Sequence, residues 1–245
     1  MNTEHIVKSF DVELNTLTDL IARMGGLAEK QLADAVQSVF KRDAELAERT
    51  VKSDARIDAL EHEVDAIVIQ LLALRQPVAD DLREVIAALK ISSDLERIGD
   101  YAANIAKRVV ALSQVPVVKP VHVIPRMGFL AQSMIRRVLD AYAERDADKA
   151  VAVRNADEEV DEMYTSLFRE LLTYMMEDPR DISACTHLLF IAKNIERIGD
   201  HATNVAEYVY FLVHGTPLED ERPKGDTSPS VVSSPAPRAQ KRKGE

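Results

Sequence analysis

Tryptophan is absent from the 245 residues, cysteine occurs once and glycine only eight times. The lone Cys185 excludes an internal disulfide and points to a reducing compartment. No apolar run approaches the roughly 20 residues needed to cross a bilayer. The opening Met1-Asn2-Thr3-Glu4-His5 lacks a basic region followed by an apolar core, so no signal peptide is expected and the expected location is cytoplasmic. A glycine-rich phosphate loop is missing, as is any Glu-x-x-His pair of the kind that di-metal bundles project into their cores. No nucleophile stands beside a base in a recognisable pattern. Net charge is −10, and because the tail after Gly215 holds six basic and five acidic residues, the body carries −11. That balance excludes wrapping of nucleic acid, whose affinity rests on neutralised phosphates. It suits cation binding or docking to basic partners.

Ala, Leu, Glu, Arg and Asp dominate the composition, and the apolar share of 46% is ample for a helical core. Phe10, Leu14, Leu17, Ile21, Met24 and Ala28 form a sustained amphipathic seam, predicting a helix to about Phe40. Gly25-Gly26 within it predicts a kink or a close helix contact. Lys41-Arg42-Asp43 reads as a polar turn. A second seam runs through Ile57, Leu60, Val64, Ile67, Leu71 and Leu74 and stops before Pro77, with Asp80-Asp81 expected to cap the helix that follows. The third helix carries Leu95, Ile98, Ala102, Ile105, Val109 and Leu112 to about Ser113.

The same order then repeats. Glu96-Arg97-Ile98-Gly99-Asp100 returns letter for letter as Glu196-Arg197-Ile198-Gly199-Asp200. Met24-Gly25-Gly26-Leu27-Ala28 is echoed by Met127-Gly128-Phe129-Leu130-Ala131, and Pro179 stands where Pro77 did. Three helices joined by short turns pack as an up-down-up bundle. The expectation is therefore an all-α chain of two tandem three-helix bundles: 1–115, a proline-rich linker 116–125, and 126–215. Residues 216–245, rich in Pro, Ser and Gly and ending in Lys241-Arg242-Lys243, read as a disordered tail, solvated or touching an anionic lipid or a partner.

Each motif copy belongs to a longer Glu-x-x-x-Asp-x-x-x-Asn stripe along one helix, and the wheel places its acids nearly opposite the apolar seam, on the outside of the bundle. Turn counting brings a second pair to the same height. Asp58 and Asp54 lie 19 and 23 residues before Pro77, while Glu96 and Asp100 lie 19 and 23 after it. Around Pro179, Asp161 and Asp157 lie 18 and 22 before, Glu196 and Asp200 17 and 21 after. Four carboxylates thus share a level in each half. All-oxygen donors favour hard cations such as Mg²⁺, Mn²⁺ or Ca²⁺, with iron also possible. The alternative is a solvated acidic face relieved by Arg56, Arg97 and Arg197. Other features read as structural: Cys185 and His187 as packing, Met175-Met176 as core, Gly99 and Gly199 as close helix contacts, and Arg75 and Arg83 as either partner contacts or local caps.

The doubled Glu-Arg-Ile-Gly-Asp, Arg75-Gln76-Pro77-x-x-x-Asp81-Leu82-Arg83 and Leu172-Thr173-Tyr174-Met175-Met176-Glu177-Asp178 resemble the PhoU family of phosphate-transport accessory proteins over about residues 1–215. The resemblance implies a pseudo-twofold pair of three-helix bundles and a homodimer. It also implies surface metal clusters on Asp54, Asp58, Glu96, Asp100, Asp157, Asp161, Glu196 and Asp200, holding divalent ions (Mg, Mn, Fe or Zn). Glu29 of the first helix is Gln132 in the second half and is not a shared position. The implied function is negative regulation of the phosphate-starvation response and of phosphate uptake. The implied partners are the phosphate ABC transporter, through its ATPase subunit, and a sensor histidine kinase, so the membrane is reached only through them. A carboxylate-bridged di-metal enzyme and a metal-free adaptor are the competing readings.

Overall fold

A computed structural model describes residues 3–219 and Asp226, with side chains from Phe10 onward. The described residues form helices and no strands, and none of the helices is long and apolar enough to cross a membrane. The first repeat comprises α1 (Thr3–Lys41), α2 (Ala44–Ser53), α3 (Ala55–Arg75), α4 (Ala79–Lys107) and the single turn α5 (Val109–Leu112). A 3-10 turn over Lys119–His122 leads into the second repeat, α6 (Val123–Glu144), α7 (Ala147–Glu177) and α8 (Ile182–His214). The long α7 corresponds to α2 and α3 together, the pair being interrupted only at Asp54.

Local chemistry sets the helix ends. Asp43 and Asp146 cap α2 and α7, their carboxylates accepting from the Leu46 and Lys149 amides at 2.9 Å each. Gly215 closes α8 at φ 74, its amide donating to the Phe211 carbonyl at 2.8 Å. Capping by Asp80-Asp81 is not what forms. Gln76 turns left-handed at φ 48, the chain extends through Val78, and α4 starts at Ala79 without a side-chain cap. The two aspartates fall inside the first turn, favoured there by the helix dipole, and Asp80 pairs with Arg83. Pro125 likewise lies within the first turn of α6 rather than in the linker, at a place where proline is tolerated.

The second seam shifts along its helix. Ile57, Leu60, Val64, Val68 and Leu71 are buried, whereas Ile67 is half-buried and Leu74 is 71% exposed. A straight α-helix drifts about 20° per heptad against a strict 3-4 alternation, so the buried row moves from Ile67 to Val68. Met176 is also exposed, contrary to a core role, while Met175 packs partly against the core.

A single apolar cluster runs through both repeats. Helix α4 packs on α8 as well as on α1 and α3, and α1 packs on α6. Glycine makes the α1–α6 approach reciprocal. A Cβ on Gly25 would collide with Leu139, and one on Gly128 would stand 2.6 Å from Val36 Cγ2, each contact mirroring the other across the repeat. Helix α1 continues unbroken through Gly25-Gly26, and Gly26 faces open space.

Those two environments predict opposite responses to alanine. Gly26→Ala should gain up to about 1 kcal/mol of helix propensity. Gly128→Ala should be destabilised, because a β-branched valine held at one rotamer cannot yield and overpacking costs about 1–3 kcal/mol. Thermal unfolding of the two variants beside the parent chain checks the pair.

Candidate functional site

Two carboxylate clusters occupy the grooves between α4 and the α2–α3 arm and between α8 and α7. In the first, Asp54 sits at the break between α2 and α3, Asp58 one turn along, and Glu96 and Asp100 on α4. In the second, α7 supplies Asp157 and Asp161 and α8 supplies Glu196 and Asp200. Acids on facing helices repel one another in each cluster. Asp54 feels both Asp58 and Asp100, Glu96 feels Asp100 and Asp58, and Glu196 feels Asp200 and Asp161.

The outward orientation does not hold. Asp157 is 0% exposed, Asp161 3% and Glu196 4%, and the four acids of the first cluster are half-buried. A wheel read against one apolar seam assumes that the opposite face meets water. Here α4 and α8 are packed on several sides, so that face meets a neighbouring helix. The glycine of each motif copy creates the space. A Cβ on Gly99 would lie 3.2 Å from Asp54 Oδ1, and one on Gly199 2.5 Å from Asp157 Oδ1. Close packing at these glycines therefore serves the acids directly.

Burial has an electrostatic consequence. Desolvation raises the Asp54 carboxyl above its ordinary range against the opposing hydrogen bond from Gln31. It raises Glu96 as well, with Asp100 adding to the effect and Arg97 opposing it. The largest displacement is at Glu196, pushed up to about 7 by burial despite the Lys193 ammonium 2.6 Å away. Glu196 Oε2 has no hydrogen-bond partner among the described residues. Among the three arginines expected to relieve the acids, Arg97 alone reaches them, at 3.5 Å from Glu96 and 3.4 Å from Asp100. Arg197 lies over the Tyr101 ring and Arg56 lines a groove between α1 and α2.

Several contributors escape a reading by motif. Gln31 of α1 donates from Nε2 to Asp54 Oδ1 at 2.9 Å and to the Gly99 carbonyl at 3.3 Å; its counterpart in the second repeat is Met134. Lys193, three residues before Glu196, has Ser93 as its counterpart, and the mismatch between the copies is the one visible signal for it. Lys193 also donates to Asp226 Oδ2 at 3.2 Å, and Thr165 to Asp226 Oδ1 at 3.4 Å. One residue of the expected disordered tail thus has a defined place against α7 and α8; residues 220–225 and 227–245 lie outside the described residues. Glu61 joins the first cluster as a further repelling neighbour of Glu96.

The asparagines of the stripe do not join the acids. Asn104 accepts from Lys107, and Asn204 donates to Asp94 at 3.0 Å. Asp94 also takes a 2.5 Å hydrogen bond from His201 Nδ1, tying α4 to α8. Arg75 pairs with Glu13 of α1 at 3.0 Å, and Glu29 is met by Gln132 and Arg136 of the other repeat. Among the described residues, no group of three or more His, Cys, Asp or Glu side chains is arranged closely enough to hold an ion as placed. The donor chemistry nonetheless fits a hard cation: hard oxygen donors, crowded and half or wholly buried.

The model of the PhoU domain family matches residues 21–109 and again 124–209. A phosphate-specific transport system accessory protein PhoU homolog of Caulobacter vibrioides is 53% identical over 225 residues, covering 91% of this chain and 98% of the relative. The homolog from Rhizobium meliloti is 48% identical over 235 residues, covering 95% and 99% respectively. The crystal structure of PhoU from Pseudomonas aeruginosa superposes with a TM-score of 0.82 at 41% identity, over 84% of this chain and 100% of that one. The phosphate transport system regulatory protein PhoU from Streptococcus pneumoniae gives a TM-score of 0.79 at 32% identity, over 86% and 99%.

The Glu196 carboxyl makes a pH prediction. Its pKa in the folded chain, about 7, lies above an ordinary glutamate near 4.5, so the folded state binds the proton more tightly. Its contribution to stability is complete below the unfolded value and is lost as pH rises through about 7. In EDTA, Glu196→Gln should therefore be more stable than the parent at pH 8, with the difference shrinking towards pH 5. Urea denaturation across that range measures it.

Proposed function

The chain belongs to the PhoU family, and from that premise we propose that it is a non-catalytic regulator of phosphate transport. In this reading it restrains phosphate uptake and the phosphate-starvation response from the cytoplasm, as a homodimeric adaptor between the phosphate ABC transporter's ATPase subunit and a sensor histidine kinase. The observation that carries the reading is likeness to transport accessory proteins along more than nine-tenths of the chain.

The carboxylate clusters give the adaptor its second property, divalent metal binding. Asp54, Asp58, Glu96 and Asp100 would hold one centre, and Asp157, Asp161, Glu196 and Asp200 the other. A bound Mg²⁺, Mn²⁺, Fe or Zn²⁺ would supply positive charge among these crowded acids, beside the half-exposed Arg97 in the first cluster and Lys193 in the second. The protein's own part is to crowd the acids: Gly99 and Gly199 let them approach, and Gln31 fixes Asp54. Neutralising them would remove the repulsion between α4 and the α2–α3 arm and between α8 and α7, stiffening the faces offered to partners. An enzymatic di-metal reading has less support, since the sequence holds no Glu-x-x-His pair.

Elemental analysis of untagged protein should find bound divalent metal, and Glu96→Ala with Asp100→Ala should lower it while helicity stays intact, because truncation at half-buried polar positions rarely unfolds a bundle. Unchanged stoichiometry would remove both residues from the site. A strain lacking the protein should express starvation genes constitutively at high phosphate, as read by a phosphatase reporter; normal repression there would defeat the regulatory reading.

A further inference from the structure

Three large apolar side chains stand exposed along one seam between the repeats: Phe40 at 58%, Val117 at 65% and Phe129 at 69%. Phe40 divides two adjoining hollows. On one side a recess under the linker is floored by Leu112, Val118 and Leu188. On the other, an open groove between α1 and α6 is bounded by Val36, Gly128 and Phe129. A continuous apolar surface of this kind marks an interaction site more often than scattered exposed residues do.

The lining of the two hollows departs from the acidic balance of the molecule. The chain carries 41 acidic residues against 31 basic ones, yet neither hollow is lined by a single Asp or Glu. Arg42 lines the recess and His122 the groove, while exposed Lys41 and Lys119 adjoin Phe40 and Val118 in sequence. None of these four is ion-paired with a carboxylate among the described residues. Arg42 spends its donors on the Leu112 and Val115 carbonyls, holding the linker in place.

We infer that this seam is a docking site for an amphipathic helix of a partner protein, apolar on one face and flanked by Asp or Glu. Anchors at i, i+3, i+4 and i+7 suit a groove between two helices, and the basic rim selects the acidic flanks. A second copy of this chain fits poorly, because a twofold contact would set the same basic rim against itself. The inference deepens the adaptor reading and rests on it.

The probe is a synthetic amphipathic helix carrying one tryptophan, Leu at the anchor positions and Glu elsewhere, compared with the same peptide carrying Lys for Glu. The full chain has no tryptophan, so the peptide's fluorescence reports binding directly. The Glu peptide should bind and weaken with salt, and Phe40→Ser with Phe129→Ser should lose about tenfold or more in affinity at unchanged Tm. The Lys peptide should not bind. Equal affinity for both peptides, or an unaffected double variant, overturns the inference. So does a double variant that dissociates a dimer in sedimentation velocity, which would make a second copy the occupant. Loss in that variant of binding to phosphatidylglycerol vesicles would identify a membrane surface instead and overturn it likewise. In cells, the double variant should fail to restore repression to a deletion strain. Full restoration removes the groove alone, whereas a deletion strain that never loses repression removes the adaptor reading and this site with it.

Discussion

Everything distinctive in this chain depends on how closely its two repeats approach. With no tryptophan and few aromatic side chains, the core is filled by Leu, Ile, Val and Ala, and its helices must come near one another to exclude water. Helix α4 buries Ala87, Ala88, Ala102, Ala103 and Ala106, and α8 buries Ala184, Ala192, Ala202 and Ala206. Gly25 and Gly128 make the α1–α6 contact reciprocal. The Asp94–His201–Asn204 bonds then add a polar tie between α4 and α8, where a lone buried carboxylate would otherwise be costly.

That closeness changes what an acidic stripe means. On a helix packed along one side, Glu-x-x-x-Asp faces water and costs little. On helices packed on several sides it faces another helix, and the same residues become crowded, partly desolvated carboxylates. The raised Glu96 and Asp54 carboxyls and the displacement of Glu196 are the electrostatic record of that placement. A bundle designed for stability alone would put alanine or leucine in those grooves. Retaining eight acids there, with glycine cut in to admit them, is a cost that the proposed cation would offset.

Much of this was legible in the sequence. The seam through Phe10 to Ala28, the stop at Pro77, the all-helical repeat and the height of each carboxylate followed from 3.6-residue periodicity and counting from the prolines. What failed did so where one helix was read without its neighbours. Leu74 and Met176 are exposed because period and drift decide burial only near the middle of a helix. The acids turned inward because no wheel shows a second packing face. Gln31, nineteen residues before Thr50 and far from either motif in sequence, was invisible to motif reading because the fold alone brings it to Asp54.

The two clusters, finally, are not copies of each other. The first has a neutral amide on Asp54 and a half-exposed guanidinium between Glu96 and Asp100. The second has an apolar Met134 where Gln31 stood, deeper burial of three of its four acids, and an ammonium fixed on Glu196. Deeper burial strengthens every interaction in the second cluster, repulsive and attractive alike. Lys193 opposes the rise at Glu196, yet burial still holds that carboxyl at about 7. Duplication set the carboxylate geometry twice, and divergence at positions 31/134 and 93/193 then changed which neighbour each copy's acids meet: an amide on Asp54 in the first, an ammonium on Glu196 in the second.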